Sequence, residues 1–507
     1  MTYSNTRKRV SIISISERMQ IPTVKPKASF GCRHVQVILM ALGFLCCYAI
    51  RVTTSVTLEA MTDASSANPA FEEFNWDNTI KNNILSSFFW GYVCTQLIGS
   101  IIAQRWGAQK LYAGAQLICG AVTLSVPFLS HYCGWEAVCA SRVIAGLSQG
   151  TVLPCLHTLL SKWVPPEERG RMSTFVYAGG WIGNVICLLS SGLLSGSALG
   201  WPSCFYIWGG LSIVSGALFL FIGKESPTEH SSIPKDEKEY IETSLGITET
   251  DEKLPVPWMA ILTSAPMWAL LVTQAAQNWG FWMLLTKIPS YMSSVLNKNI
   301  QQNGALSSLP YLTAWLLSFP ISYVSDLLIK RSILSVQASR KICNSIGQWI
   351  PAAALIGLGY VDKEHPDIAI AVLVIAVACN IAIYCGHNVN HMDLSPNFAG
   401  ALMGITNTVA NICSILAPLV ASIVVVDSSD VSQWRNIFFL SAIIYIVGNL
   451  IFVLFGTSQI QPWNDPQKKI QETSLNNVEA PAVENGYVKE KEEIKKDTEN
   501  TNIEKNA

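Results

Sequence analysis

Charged residues are scarce in this sequence. Asp, Glu, Lys and Arg make up 14% of its 507 residues, and half of the residues are hydrophobic, whereas soluble domains carry about 25% charge. The charges that are present lie almost entirely outside long apolar blocks. A soluble globular protein is therefore excluded. The sequence also lacks a basic patch with interleaved aromatic residues, so we expect no nucleic-acid partner.

We also find no cysteine spacing typical of a metal site, and we expect no cleaved signal peptide. The 14 cysteines include no C-x-x-C pair, and most lie in apolar runs, where cysteine behaves as a small hydrophobic residue. A disulfide between Cys133 and Cys204 remains an open alternative, because both fall near loops predicted on the same side. Residues 1–33 are polar and basic and lack the apolar core of a signal peptide. We expect no resident cofactor.

Apolar runs of about 20 residues, the length that crosses a bilayer, recur through the chain. Twelve are predicted, near 35–57, 80–103, 110–130, 135–157, 172–195, 204–222, 266–290, 304–328, 342–360, 367–387, 400–425 and 435–456. The sequence therefore predicts an all-α membrane protein with twelve transmembrane helices.

The twelve segments fall into two similar sets of six. The second segment ends with Ser100, Gln104 and Arg105, and the eighth ends with Ser322 and Asp326 before positive charge, which is the same pattern. Two pseudo-symmetric six-helix bundles are typical of secondary transporters that bind substrate between the halves. The predicted division is a basic tail at 1–34, bundles at 35–222 and 266–456, a polar loop at 223–265 and a disordered tail at 457–507.

Positive charge predicts the orientation in the membrane. The short loops on the side of the N terminus hold Arg105, Lys110, Lys162, Arg169, Arg171, Lys330, Arg331, Arg340 and Lys341, whereas the other side holds Lys298 and Lys363, with Lys81 at a helix mouth. Since cytoplasmic loops are enriched in Lys and Arg, both termini are predicted to be cytoplasmic.

Two arginines lie inside predicted membrane segments, Arg51 in the first and Arg142 in the fourth. An arginine near the bilayer centre costs roughly 2.5–3.5 kcal/mol, so it needs an acid, a wet cavity or an anionic ligand. The acids Glu59, Glu136 and Asp326 lie only at segment ends. An anion from solution is therefore the favoured partner of Arg51, whereas a structural role for Arg142 is an equal alternative.

Residues 146–150, GLSQG, match the G-x-S-x-G pattern of serine hydrolases, in which Ser148 would be the nucleophile. That motif needs a strand, a sharp turn and a helix, whereas these residues lie in a predicted membrane helix. Gly146 and Gly150 instead favour close helix packing. An enzyme is the disfavoured alternative.

Helical spacing places Gln149 on the same face as Arg142. His157 lies nearer the cytoplasmic end of this segment. A lone histidine there acts as a packing residue or as a proton carrier, and the sequence favours packing.

The sequence resembles the anion:cation symporters of the major facilitator superfamily, which include sialin, vesicular glutamate transporters and sodium-dependent phosphate transporters. The overall style is most similar to insect proteins named as inorganic phosphate cotransporters. The matching stretches include CYAIRV at 47–52, SSFFWGY at 86–92, residues 146–157, WVPP at 163–166, NWGF at 278–281, NHMD at 390–393, GITN at 404–407 and QPWN at 461–464.

The resemblance implies the major facilitator fold, with an anion site at the membrane midplane. It implies that Arg51 clamps the anion and that Tyr48 and Tyr92 line the same cavity. From the other half it places Asn278, Trp282 and Asn407 at the site. Arg142, Gln149, His157 and Asp326 are assigned to coupling or gating, with the charged turns at 104–110 and 326–331 latching the cytoplasmic side.

The chain departs from relatives at two positions that affect coupling. Proton-driven relatives carry a glutamate where this chain has Gln149, and vesicular glutamate transporters carry an arginine where it has Gln277. Both departures argue against a proton-driven sialate or glutamate mechanism. A sodium ion is therefore the first choice of co-transported ion, a potential-driven uniporter or exporter is second, and proton coupling through a group such as His157 is third.

The remaining expectations concern partners and location. We expect a small anionic substrate, either inorganic phosphate or an organic anion, a lipid environment and a monomer. The plasma membrane is the default location, and a lysosomal or vesicular membrane is the alternative.

Overall fold

The computed structural model describes residues 30–62, 68, 70–76, 78–245, 255–294, 300–361, 365–426 and 430–464. The predicted disordered tail, from residue 465 onward, lies outside the described residues. Within the described ranges all regular structure is helical.

A helix lies over each of the twelve predicted segments. In chain order the helices are α1 (Cys32–Thr62), α2 (Asn78–Trp106), α3 (Ala108–Tyr132), α4 (Trp135–Gln149), α5 (Val152–Trp163), α6 (Arg169–Ser195), α7 (Pro202–Ile222), α8 (Lys235–Leu245), α9 (Trp258–Leu262), α10 (Ala265–Ser294), α11 (Ile300–Lys330), α12 (Val336–Leu358), α13 (Pro366–Asn380), α14 (His387–Leu394), α15 (Ala399–Val424) and α16 (Val431–Phe455). Of the described helical stretches, ten are long and apolar enough to cross a membrane.

The fourth and tenth crossings are interrupted, although the sequence predicted continuous helices. The fourth is split into α4 and α5 at Gly150 and Thr151. Pro154 has no N–H to donate to the carbonyl of Gly150, which accounts for the break. The tenth consists of α13, a 3₁₀ turn at Ile381–Cys385 and α14, which starts after the non-helical Gly386. The two breaks occupy equivalent positions in the two halves, as in transporters that bind substrate at broken helices.

The outer surface of the bundles is apolar. Leu193 is 78% exposed, Phe221 is 76% exposed and Ile423 is 75% exposed. A soluble protein would bury large side chains of this kind, whereas a lipid bilayer solvates them. This exposed apolar surface accounts for the unusual composition of the chain.

The polar segment 223–265 contains a helix that the sequence analysis did not predict. Tyr240, Ile241 and Leu245 of α8 are buried against the first half. Glu237 of α8 accepts hydrogen bonds from the backbone N–H groups of Cys32 and Arg33, and so caps the start of α1. The sequence signal that could have predicted this helix was the presence of these three apolar residues among acidic ones.

Both ends of the described chain lie on one side of the bundle, which we call the terminus side. Arg33 pairs there with Glu168 and Glu237, each at 3.0 Å. Near the other end, Asn464 accepts a hydrogen bond from Ser395 at 2.6 Å. An even number of crossings requires this arrangement.

The disulfide alternative is not realised in the structure. Cys133 is exposed, Cys204 is buried, and both are free thiols. The Cys204 thiol lies 3.7 Å from the hydroxyl of Ser195, within the first half.

Candidate functional site

Arg51 of α1 is surrounded by aromatic rings. Its guanidinium carbon lies 4.7 Å from the ring centroid of Tyr48, 4.8 Å from that of Tyr92 and 5.0 Å from that of Phe88. These distances fit cation–π contacts. The structure therefore brings together the three residues that the resemblance assigned to one cavity.

The polar contacts of Arg51 leave its charge unbalanced. Nη2 donates to Oε1 of Gln149 at 3.3 Å, and the buried Nε has no hydrogen-bond partner. Among the described residues, the ion pairs do not include Arg51. A cation held by neutral groups in a membrane protein attracts an anion from solution.

Arg142 of α4 also packs against the ring of Phe88. It is 4% exposed, and its guanidinium carbon is 4.9 Å from the Phe88 ring centroid. Nη2 donates to the carbonyl oxygen of Arg51 at 3.4 Å, and Nε has no partner. Arg142 therefore holds the backbone of α1 at Arg51 and adds a second positive charge to the site.

Gln149 orients Arg51 within the first half. Its Nε2 donates to the carbonyl oxygen of Cys47 at 3.0 Å and to the sulfur of Cys119 at 3.2 Å, while its Oε1 accepts from Arg51. The amide is thus satisfied on both sides. A carboxylate at this position would instead neutralise Arg51.

Two glycines of the fourth crossing bring α2 close to α4. A Cβ atom built on Gly146 would collide with the carbonyl oxygen of Phe88, and one on Gly150 would collide with the side chain of Thr95. This close approach places the aromatic residues of α2 against Arg51. Ser148 lies within α4, and its hydroxyl donates to the carbonyl of Ile144 in the same helix at 2.8 Å.

The second half contributes aromatic and amide groups. The Trp282 ring of α10 lies 6.0 Å from that of Phe89 in α2, so it reaches the first half. Asn278 lies one turn before Trp282 and is half-buried. Asn407 of α15 is 5% exposed, and its Nδ2 has no partner. The described contacts of Arg51 come from the first half, whereas Trp282 contacts α2.

Gln277 has a structural role in this chain. Its amide exchanges two hydrogen bonds with the amide of Asn380, at 2.5 Å and 3.1 Å. Asn380 also donates to the carbonyl oxygen of Gly347 at 2.8 Å. This pair ties α10 to the end of α13, next to the break in the tenth crossing.

His157 lies in the interface between the two halves. It is fully buried, and its Nε2 is 3.1 Å from the hydroxyl of Tyr177 and 3.2 Å from Oδ1 of Asn388. The ring of His391 lies 5.3 Å away. His157 therefore joins the second segments of the two interrupted crossings, α5 and α14.

Buried charges connect the halves on the terminus side. Asp393 accepts from Nη1 of Arg169 and from Nε of Arg340, both at 2.7 Å, and all three side chains are buried. Asp326 accepts from the backbone N–H of Arg171 at 2.6 Å. We call Asp393, Arg169 and Arg340 the charge triad.

Sequence reasoning missed the charge triad as a unit. It predicted that the tenth segment ends near residue 387, so Asp393 was treated as a motif residue outside the membrane. Arg169 and Arg340 were counted only as loop charges. The available sequence signal was the position of Asp393, an acidic residue only a few positions after the apolar tenth segment.

The turn at 104–110 contacts its own half. The backbone N–H of Gln109 donates to Oε2 of Glu225 at 2.8 Å, and Lys162 pairs with Oε1 at 2.7 Å. Burial would raise the pKa of Glu225, but Lys162 and the backbone N–H groups outweigh it and lower that pKa. Asp326 contacts the opposite half, so the two similar turns have different partners.

Comparison with known proteins identifies relatives across most of the chain. The Major Facilitator Superfamily model matches residues 39–418. A Drosophila melanogaster protein named "Putative inorganic phosphate cotransporter" is 38% identical over 475 residues, covering 89% of this chain and 90% of that protein. Sialin from Homo sapiens is 33% identical over 452 residues, covering 85% and 90%. Vesicular glutamate transporter 2 from Mus musculus is 30% identical over 486 residues, covering 92% and 82%.

Solved structures show the same fold. The proton:xylose symporter XylE superposes with a TM-score of 0.64 at 14% identity, covering 84% of this chain and 96% of that one. A bacterial homologue of the iron transporter ferroportin, in the outward-facing state, also gives 0.64 at 13% identity, covering 84% and 99%. The chain belongs to the major facilitator superfamily and is a multi-pass membrane transporter of the phosphate cotransporter, sialin and vesicular glutamate transporter type.

Proposed function

We propose that this transporter moves small oxyanions, inorganic phosphate first among them, by sodium-coupled symport. The observation that carries the proposal is the unbalanced charge of Arg51, whose buried Nε has no hydrogen-bond partner and whose guanidinium carbon lies near two tyrosine rings. A bound oxyanion would accept from that Nε and balance the charge. The relative named for phosphate supports phosphate as the first candidate.

Alternating access would occur by rocking of the two halves about this site. The charge triad, the Asp326 contact and the His157 contacts all hold the terminus side closed. They must break when the site opens to that side. The described geometry therefore supports a state closed on the terminus side.

Coupling follows from the electrical cost of anion entry. An inside-negative potential of about 100 mV opposes each entering negative charge by about 2.3 kcal/mol. The neutral amide of Gln149 does not exchange protons near neutral pH, which favours sodium as the driving ion. A potential-driven uniporter or exporter remains second.

A proton-coupled organic anion transporter, of the sialate or acidic amino acid type, is the third candidate. The buried contact between His157 and His391 favours it, because it places two titratable side chains where the halves meet. Proton coupling predicts that the replacement His157→Gln removes the pH dependence of uptake.

The positive charges of the terminus side support a cytoplasmic location for both termini. We propose that the protein acts as a monomer in the plasma membrane, with a lysosomal or vesicular membrane as the alternative. Tags at the two ends, probed before and after permeabilisation, test this orientation. Labelling of intact cells would contradict it.

Uptake of labelled phosphate, sialate and glutamate tests the function. Cells expressing the wild type, Arg51→Ala or Arg51→Lys are compared at equal surface expression, with sodium and pH varied independently. We expect sodium-dependent phosphate uptake that is lost in Arg51→Ala and partly kept in Arg51→Lys. Phosphate uptake that persists without sodium contradicts sodium coupling, and uptake of none of the three anions contradicts the proposed function.

A further inference from the structure

Gln96 is a buried side chain on the face of α2 that lines the candidate site. It is fully buried and follows Tyr92, whose ring packs on Arg51, by four residues. Residues four apart lie on one helix face, about 5.4 Å apart along the axis. Gln96 therefore lies one helical turn from the aromatic rings around Arg51, toward the terminus side.

Hydrogen bonding fixes the orientation of the Gln96 amide. Nδ2 of Asn411 donates to the carbonyl oxygen of Asn407 at 2.7 Å, which identifies that atom as the nitrogen. The same Nδ2 donates to Oε1 of Gln96 at 3.3 Å. If the Gln96 amide were flipped, its NH₂ group would face the NH₂ group of Asn411, and two donors cannot form a hydrogen bond. Nε2 of Gln96 therefore points away from Asn411, and it has no partner.

A second unpartnered donor comes from the opposite half. Asn407 is 5% exposed, and its Nδ2 has no hydrogen-bond partner. Residues 404 and 411 of α15 bracket Gln96, since a Cβ built on Gly404 would lie 3.1 Å from the carbonyl oxygen of Gln96. Buried donors without acceptors destabilise the folded state. An oxygen-rich ligand would remove that cost at both positions.

We propose that Gln96 contacts the substrate, and that its Nε2 and Nδ2 of Asn407 donate to oxygens of the anion whose charge Arg51 balances. The inference rests on the proposed function, because it uses the same anion site. A tetrahedral oxyanion such as phosphate offers enough acceptor oxygens for a cation and two neutral amides. Since the two amides belong to different halves, the bound anion bridges the halves.

The test compares phosphate uptake by Gln96→Ala and Asn411→Ala in membrane vesicles. Gln96→Ala removes the donor, whereas Asn411→Ala leaves that donor in place and removes the hydrogen bond between the halves together with the one to the Asn407 carbonyl oxygen. We expect Gln96→Ala to raise the phosphate KM about tenfold, the size expected of a hydrogen bond to a charged group. Asn411→Ala should change the maximal rate with little effect on KM, and the double variant should keep the KM of Gln96→Ala.

Gln96→Glu sharpens the test, because it keeps an oxygen facing Asn411 and replaces the donor with a carboxylate. Its phosphate uptake should fall below that of Gln96→Ala. The unfolding temperature of the purified variants, with and without phosphate, separates folding from binding. Gln96→Ala should unfold cooperatively and lose most of the stabilisation by phosphate.

A phosphate KM in Gln96→Ala within twofold of the wild type overturns the inference. An equal rise of KM in Asn411→Ala also overturns it, because Gln96 would then act only as a contact between the halves. If wild-type phosphate uptake depends on Arg51 while Gln96→Ala is unchanged, the proposed function stands and this inference alone fails. If the wild type takes up no phosphate and is not stabilised by it, both fail.

Discussion

Two pairs of arginines in this protein have opposite surroundings. Arg169 and Arg340 share the carboxylate of Asp393 on the terminus side. Arg51 and Arg142 both pack against the ring of Phe88, and among the described residues the ion pairs include neither of them. Each arginine of the first pair therefore has a carboxylate partner within the protein. We propose that the second pair obtains its balancing charge from an anion in solution.

This difference connects charge balance with the transport cycle. Breaking a buried ion pair by removing one partner costs about 3–5 kcal/mol, so the charge triad strongly favours a closed terminus side. An unbalanced cation near the membrane centre costs roughly 2.5–3.5 kcal/mol, and an anion removes that cost on binding. In the transport cycle that we propose, the triad controls access and Arg51 controls binding.

The largest effect is expected from Asp393→Asn, which removes the balancing charge of the triad. Two buried arginines without a carboxylate should open the terminus side, because closure would cost about 3–5 kcal/mol more than in the wild type. The thiol of Cys385, which is 1% exposed next to Arg340, reports this opening. We expect its labelling by a thiol reagent to become roughly 100- to 1,000-fold faster, with Cys385→Ala as the background.

Asp326→Asn is the matched control for this variant. It keeps an oxygen that accepts from the backbone N–H of Arg171, so its labelling should stay close to that of the wild type. Equal rates in Asp393→Asn and the wild type would contradict the role of the triad.

A smaller effect is expected from Gln149→Glu, which gives Arg51 a carboxylate partner. Phosphate uptake at pH 7.5 should fall about tenfold, because the new negative charge competes with the anion. Acidification should restore part of the uptake, since protonation removes that charge. The measurement is initial uptake between pH 5.5 and 7.5, and Gln149→Leu separates charge from lost hydrogen bonding. If uptake by Gln149→Glu and by Gln149→Leu depended on pH in the same way, competition between the new carboxylate and the anion would be contradicted.

The smallest effect is expected at Glu225, a carboxylate paired within one half. Its pKa is lowered in the folded protein, so its contribution to stability is present above the unfolded pKa of about 4.3 and is lost as the pH falls through the folded pKa. The Lys162 side chain is 38% exposed, and solvent screening limits the pair to about 0.5 kcal/mol. Glu225→Gln should lower the unfolding temperature slightly at pH 7, and this effect should shrink as the pH falls through the lowered pKa.

The matched variant Lys162→Met should show the same dependence on pH. A Glu225→Gln effect that grows on acidification would contradict the sign of this pKa shift.

Much of the fold could be predicted because apolar length dictates it. The family and the all-α fold class are confirmed, and a helix lies over every predicted segment. The breaks in the fourth and tenth crossings were missed, because the hydropathy of a segment does not report the loss of a backbone hydrogen bond. Gly150 and Pro154 carried the local signal. Helix α8 was missed because it has few buried apolar residues, and charged residues surround them in the sequence.

The candidate site was only partly accessible from sequence. The desolvation cost of a membrane arginine singled out Arg51, and the resemblance supplied Tyr48 and Tyr92. The pairing of Asp393 with Arg169 joins residues more than 200 positions apart, so no local pattern encodes it. The orientation of the Gln96 amide depends on Asn411 in the other half, and it too required the structure.

The central claim is that the unbalanced Arg51 binds the transported anion. The most direct measurement is the unfolding temperature of the purified wild type and Arg51→Gln, with sodium phosphate or with sodium chloride at the same ionic strength. We predict that phosphate raises the unfolding temperature of the wild type relative to chloride, and that this rise is absent in Arg51→Gln. An equal rise in both proteins would contradict the account.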